Sequence, residues 1–123
     1  MHSFNKDIGN YGESLAESYL VSLGVLIIDK NFKCKQGEID LICRDGNYIT
    51  FIEVKTRYSS QFGTPADSVT YKKQRKIFKT AQFYIMINML RNINFRFDVI
   101  EVILNTSDNR YNISIIKNAF QLI

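Results

Sequence analysis

The sequence predicts an α/β fold in which a mixed β-sheet is flanked by helices in the order αβββαββ. Three observations carry this expectation. Apolar residues recur at helical spacing in two well-separated segments, they alternate or cluster in five short ones, and turn-forming residues punctuate the boundaries.

The first helix is expected over Asp7–Leu23, where Ile8, Tyr11, Leu15, Tyr19, Leu20 and Leu23 recur at helical spacing, and Gly24 stands where a terminating glycine belongs. Val25–Phe32 reads as a first strand, followed by a turn at Gly37. Glu38–Arg44 and Tyr48–Lys55 read as the next two strands, with Asp45-Gly46 between them as a hairpin signal. Tyr58–Thr70 carries Ser, Gly and the single proline, Pro65, and reads as a loop. The second helix is expected over Tyr71–Arg91, through Ile77, Phe78, Ala81, Ile85 and Met89. Strands over Phe95–Leu104 and Tyr111–Lys117 complete the order, joined across Asn105–Asn109.

A chain of 123 residues suits one domain, residues 1–123, with enough apolar content for a core. Sixteen Lys and Arg against twelve Asp and Glu give a net charge of +4, which is compatible with a polyanionic partner without selecting one. No basic start followed by an apolar run suggests a signal peptide, and Phe83–Leu90, broken by Asn88, is too short to span a bilayer. Cys34 and Cys43 are too few for a disulfide framework, and with His2 alone they cannot supply the four ligands of a zinc site. Free thiols in a reducing cytoplasm are the expectation. A single histidine near the terminus argues against Ser-His-Asp and Cys-His mechanisms, and no Gly-rich phosphate loop is present.

The chemistry of interest lies on the central strands. With Asp45-Gly46 at the centre of a two-residue hairpin, Arg44 pairs with Asn47, Asp40 with Phe51, and Glu38 with Glu53. Side chains alternate with a period of two, so Glu38, Asp40, Glu53 and Lys55 share one face. Ile39, Leu41, Ile52 and Val54 then form the core face. Asp40 and Glu53 become diagonal neighbours, roughly 7–8 Å apart at the backbone, from which their carboxylates can converge on one ion. A hard cation such as Mg²⁺ relieves their repulsion, and Lys55 on the same face can orient a reacting water and neutralise charge on a phosphate. The competing reading is a solvated strand face, where Glu and Lys commonly alternate with apolar residues.

Gly37-Glu38-Ile39-Asp40-Leu41-Ile42 and Phe51-Ile52-Glu53-Val54-Lys55-Thr56-Arg57 resemble the paired signature of the YraN-like family of small bacterial proteins. That family is similar to nucleases of the PD-(D/E)XK superfamily, which includes restriction endonucleases and archaeal Holliday-junction resolvases. The resemblance extends through Gly9, Gly12-Glu13 and Ala16, Ser68-Val69-Thr70, Lys73-Gln74 and Ala81, Arg96-Phe97-Asp98-Val99 and Asn118-Ala119-Phe120. It implies a restriction-endonuclease-like core, with Asp40 and Glu53 as metal-binding acids, Lys55 as the catalytic lysine and Glu13 as a further acid near the ion. Where the superfamily has a proline before the first acid, this chain has Ile39. The resemblance also implies Mg²⁺ or Mn²⁺, a DNA substrate (branched, flapped or single-stranded), a 5′-phosphate product, and service in bacterial repair or recombination with a partner protein of that machinery.

Lys73 and Gln74 precede Ile77 and Phe78 by one helical turn and so face the sheet, where both are expected close to the site, Gln74 beside the catalytic acids, against ordinary amphipathic-helix termination. Lys72, Lys73, Arg75, Lys76 and Lys79, with Arg57, are candidates for contacting phosphates, although a solvated basic face explains them individually as well. Arg96 and Asp98 read as a structural ion pair, and Tyr58 and Phe62 as residues able to contact an unpaired base. A domain this small covers one scissile site, so duplex or junction cleavage calls for a homodimer. The leading expectation is a metal-dependent DNA endonuclease. Its rivals are a nucleic-acid-binding module that has lost catalysis and an interaction protein whose acidic cluster is merely exposed.

Overall fold

The computed structural model describes the backbone of residues 2–59 and 69–121 and the side chains of residues 8–59 and 69–121. Phe62, Pro65 and Ser68 lie outside the described residues. The elements are α1 (His2–Ser22), β1 (Leu26–Cys34), β2 (Gly37–Asp45), β3 (Tyr48–Tyr58), α2 (Tyr71–Ile87), β4 (Asn94–Leu104) and β5 (Tyr111–Ile116). The strands form one mixed sheet in the order β1-β2-β3-β4-β5, antiparallel throughout except for the parallel pair β3 and β4. Parallel neighbours cannot be joined by a tight turn, and α2 lies in the crossover between them. No helix among the described residues is long and apolar enough to cross a membrane.

Both faces of the sheet are buried. Ile42, Ile49 and Phe51 pack with Ile77, Phe78, Ala81 and Tyr84 of α2, whereas Leu41, Cys43 and Ile52 pack with Ala16 and Leu20 of α1. Alternation along β2 and β3 sends neighbours to opposite faces, so the two helices sandwich the sheet. The face expected to carry Glu38, Asp40, Glu53 and Lys55 is therefore a core face too, over Ile42, Ile49 and Phe51. Ile39 departs from the expected core face: it joins the α2 cluster, although Leu41 belongs to the α1 cluster. Between Lys30↔Leu41 and Phe32↔Ile39 stands Asn31 in the left-handed region, φ 51°, and this break in the pleat accompanies the change of side.

The hairpin between β2 and β3 also differs from expectation. Asp45 pairs with Tyr48, leaving Gly46-Asn47 as the loop, and Ile42 pairs with Phe51. Gly46, φ 60°, takes the first central position, which a type II′-like turn reserves for glycine, instead of the second position of an Asp-Gly turn. The offset changes partners without changing the parity of the pairs, so the assignment of Asp40, Glu53 and Lys55 to neighbouring positions survives it.

α1 meets the sheet through a stripe of Gly12, Ala16 and Leu20, all buried, while Tyr11 and Leu23 of the expected stripe are largely exposed. Small residues win because the approach is close: a Cβ on Gly12 would fall 1.8 Å from Thr56 Oγ1. α1 ends as its glycine predicts, with Gly24 N–H donating to Val21 O and Val25 N–H to Leu20 O around Gly24 at φ 81°. α2 ends at Ile87, four residues before the expected Arg91. The same double hydrogen bond forms there, Met89 N–H to Met86 O and Leu90 N–H to Ile85 O, with Met89 itself at φ 50°. Met89 is 78% exposed, so the residue that looked like a core position is a helix terminator.

Arg96 and Asp98 do form the expected structural pair. The guanidinium donates to both carboxylate oxygens of fully buried Asp98 and, through Nη2 at 2.8 Å, to Asp45 Oδ2. Asp98 Oδ1 also accepts from Asn118 N–H at 2.8 Å. This network ties the hairpin, β4 and the segment after β5 together.

Candidate active site

The expected acids meet where the β2–β3 ladder ends. Ladder pairing stops at Leu41↔Ile52, and one step beyond it Val54 N–H donates to Asp40 Oδ2 at 2.8 Å. Continuing the register puts Asp40 directly opposite Glu53, closer than the diagonal placement expected. The carboxylate replaces a strand carbonyl as acceptor, which fixes Asp40 at the sheet's frayed end and keeps one of its oxygens engaged.

Asp40, Glu53 and Lys55 line a cleft of about 370 Å³ with Glu13, Gly9 and Thr56. α1 supplies Glu13, and the contact of Gly12 with Thr56 brings that helix close enough to do so. Burial, then the Glu53 carboxylate across the strand, push the Asp40 carboxyl up to about 7, with Glu13 and Glu38 adding to the effect and the Val54 hydrogen bond opposing it. Glu13 is raised for similar reasons: burial first, then its neighbours Glu38, Glu17 and Glu53. Glu38 itself is exposed.

Two lysines answer this negative charge. Lys73 Nζ lies 2.6 Å and Lys55 Nζ 3.5 Å from the same oxygen, Glu53 Oε1, and Glu53 is 8% exposed. Burial and the adjacent Lys73 ammonium lower the Lys55 pKa, partly countered by Glu53. For Lys73, burial is outweighed by the hydrogen bond to Glu53, so its pKa is raised. Lys73, expected on the side of α2 that faces the sheet, thus reaches the acid cluster.

The remaining candidates distribute themselves differently. Gln74 turns its amide toward the backbone, Nε2 donating to Val69 O at 3.0 Å, and braces the entry to α2. Thr70 caps the same helix by accepting from Lys73 N–H. Lys72, Arg75, Lys76 and Lys79 are exposed along α2. Arg57 is partly buried, with Nη2 2.6 Å from Glu101 Oε2. Glu101, buried on β4 and in register with Lys55, was not among the expected residues. A lone carboxylate in the apolar run Val99–Leu104 was its signal in the sequence.

Among the described residues no three His, Cys, Asp or Glu side chains are grouped to hold a metal ion. An ion here would draw on two carboxylates and complete its shell from water and phosphate oxygen. Mg²⁺ and Mn²⁺ accept such a set, and zinc does not favour it. The donors fit: two carboxylates that repel one another across a strand pair gain from a shared cation.

The profile of a family described as "Uncharacterised protein family UPF0102" matches residues 12–102 of the chain. The chain is 55% identical over 123 residues to a UPF0102 protein of Clostridium botulinum (strain Kyoto / Type A2), covering 99% of this chain and 100% of the relative. It is 53% identical over 122 residues to a UPF0102 protein of Clostridium tetani (strain Massachusetts / E88), with 99% and 100% covered. The matched span contains Asp40, Glu53, Lys55 and Lys73.

Proposed function

The chain belongs to the UPF0102, or YraN-like, family, and from its site we propose that it is a Mg²⁺- or Mn²⁺-dependent endonuclease that hydrolyses phosphodiester bonds in DNA. One observation carries the reading: a carboxylate pair, half-buried Asp40 and buried Glu53, opens into a cleft beside two lysines that share Glu53 Oε1. Stability alone does not favour burying like charges together, whereas ion binding does.

Asp40 and Glu53 would hold the cation. When bound, the ion supplies charge stabilisation at the phosphate and lowers the pKa of water. Lys55 Nζ stands beside Glu53 where it can orient the attacking water, and its lowered pKa eases proton exchange at that nitrogen. Lys73 holds a second positive charge against Glu53 and opposes charge building on the scissile phosphate. Val54 N–H keeps Asp40 aimed at the cleft. Exposed Lys72, Arg75, Lys76 and Lys79 would add salt-dependent affinity for flanking phosphates. DNA over RNA, and a role in repair or recombination, follow from the likeness to resolvases and restriction enzymes.

The test is cleavage of linear, single-stranded, flapped and four-way-junction DNA with Mg²⁺ or Mn²⁺ by the wild type, Glu53→Ala and Lys55→Ala. Cleavage by the wild type alone supports the reading; equal cleavage by all three would mean a contaminant and remove it. Mn²⁺ binding that disappears in Asp40→Ala provides an independent readout. Metal-independent DNA binding without cleavage of any substrate would make the protein a binding module instead.

A further inference from the structure

The active-site cleft does not end at the carboxylates. It reaches Ile8 and Tyr58, which also line a second cavity of about 280 Å³ with Tyr11. That cavity shares Asn105, Asn109 and Arg110 with a third, of about 590 Å³, which Tyr111 also lines. Through these shared walls the three adjoin as a row, termed the groove, from the acids to the β4–β5 hairpin. Its larger members match the few-hundred-Å³ size that holds a compact organic ligand, on the order of 300–1,000 Å³.

The lining chemistry is unlike a surface for duplex phosphates. Arg110 is 82% exposed but lies 2.8 Å from Asp108 Oδ2, so the hairpin brings little net positive charge. What it offers instead is rings and amides. Tyr11 and Tyr111 are 47% and 46% exposed, and Asn105, Asn109 and Asn112 stand along the wall. The hairpin loop is braced in advance: Asn105 Oδ1 accepts from Ser107 N–H and Oγ–H, and Asp108 Oδ1 accepts from Arg110 N–H. Tyrosine faces stack on bases, and amides bond base edges. Only an unpaired strand exposes both.

We propose that this groove binds a single-stranded DNA segment and leads it to the acids, making unpaired or flapped DNA the preferred substrate. The proposal rests on the nuclease reading but is tested by binding without turnover. Fluorescence anisotropy of a labelled single-stranded oligonucleotide is measured in EDTA with the wild type, Tyr11→Ala, Tyr111→Ala, Tyr111→Phe and Tyr71→Ala. Tyr71 is an exposed tyrosine on α2 outside the groove.

Loss of one stacking ring should weaken single-strand binding about tenfold in Tyr11→Ala and Tyr111→Ala. Tyr111→Phe and Tyr71→Ala should retain wild-type affinity, and circular dichroism verifies the fold of each. Equal affinity of the wild type and both alanine variants for the single strand overturns the proposal. So does tighter binding of a duplex or of single-stranded RNA than of single-stranded DNA. Tyrosine-dependent binding without cleavage in Mg²⁺ would remove the nuclease reading and leave this one standing. Cleavage with tyrosine-independent binding would do the reverse.

Discussion

Replacing Asp40 with asparagine is expected to abolish catalysis and, in the absence of metal, to stabilise the fold at neutral and higher pH. The Asp40 carboxyl is pushed up to about 7 by burial and by Glu53, against an ordinary 3.8. At about 1.4 kcal/mol per pH unit, ionising it in the folded chain costs up to about 4 kcal/mol more than in the unfolded chain. The sign follows from proton binding. Between about pH 4 and pH 7 the folded state keeps a proton that the unfolded state has lost, so stability falls as pH rises through that window and is flat above it.

Asparagine stays neutral throughout and still offers an oxygen to Val54 N–H. The variant should match the wild type near pH 4 and exceed it by up to about 4 kcal/mol near pH 8. Urea denaturation followed by far-ultraviolet circular dichroism, in EDTA, measures the difference. Mg²⁺ at a hundred times its dissociation constant should then return about 2.7 kcal/mol to the wild type and far less to the variant. Parallel stability–pH profiles, or equal gains from Mg²⁺, would refute the assignment of Asp40 as a strained metal ligand.

Other substitutions probe the scaffold that holds the site. Gly12→Ala places a methyl group against Thr56 Oγ1 and should cost at least about 1–3 kcal/mol in thermal unfolding, partly recovered by adding Thr56→Ala. Arg96→Ala strands the buried Asp98 carboxylate and should cost about 3–5 kcal/mol in urea melts, whereas a loss under 1 kcal/mol would make the network dispensable. Met89→Gly relieves roughly 1–2 kcal/mol of left-handed strain against about 0.4–1 kcal/mol of added unfolded-chain entropy, so a net gain near 0.5–1 kcal/mol should appear as a raised melting temperature.

The order of elements was legible because helix and strand periods are properties of neighbouring residues, and Gly24 announced its helix end in the same local way. Met89 forms the same terminating turn without any local sign. An apolar residue in register with Ile85 reads as core until the backbone bonds of the α2 terminus are seen to place it in solvent. The hairpin offset by one position was similarly hidden, since Asp45-Gly46 and Gly46-Asn47 are both acceptable turns and only pairing across the strands chooses between them.

For the site, the sequence by itself picked out the candidate residues: two acids and a lysine on adjacent strands, with family motifs around them. Tertiary structure decided what surrounds them. Lys73 reaches Glu53, Gln74 braces Val69 instead, Arg57 is held by Glu101, and Gly12 draws α1 close enough to deliver Glu13. Each of these depends on the distance between elements far apart in the chain, and on burial that raises the cost of charge. Neither quantity has a period that can be read along one strand or helix.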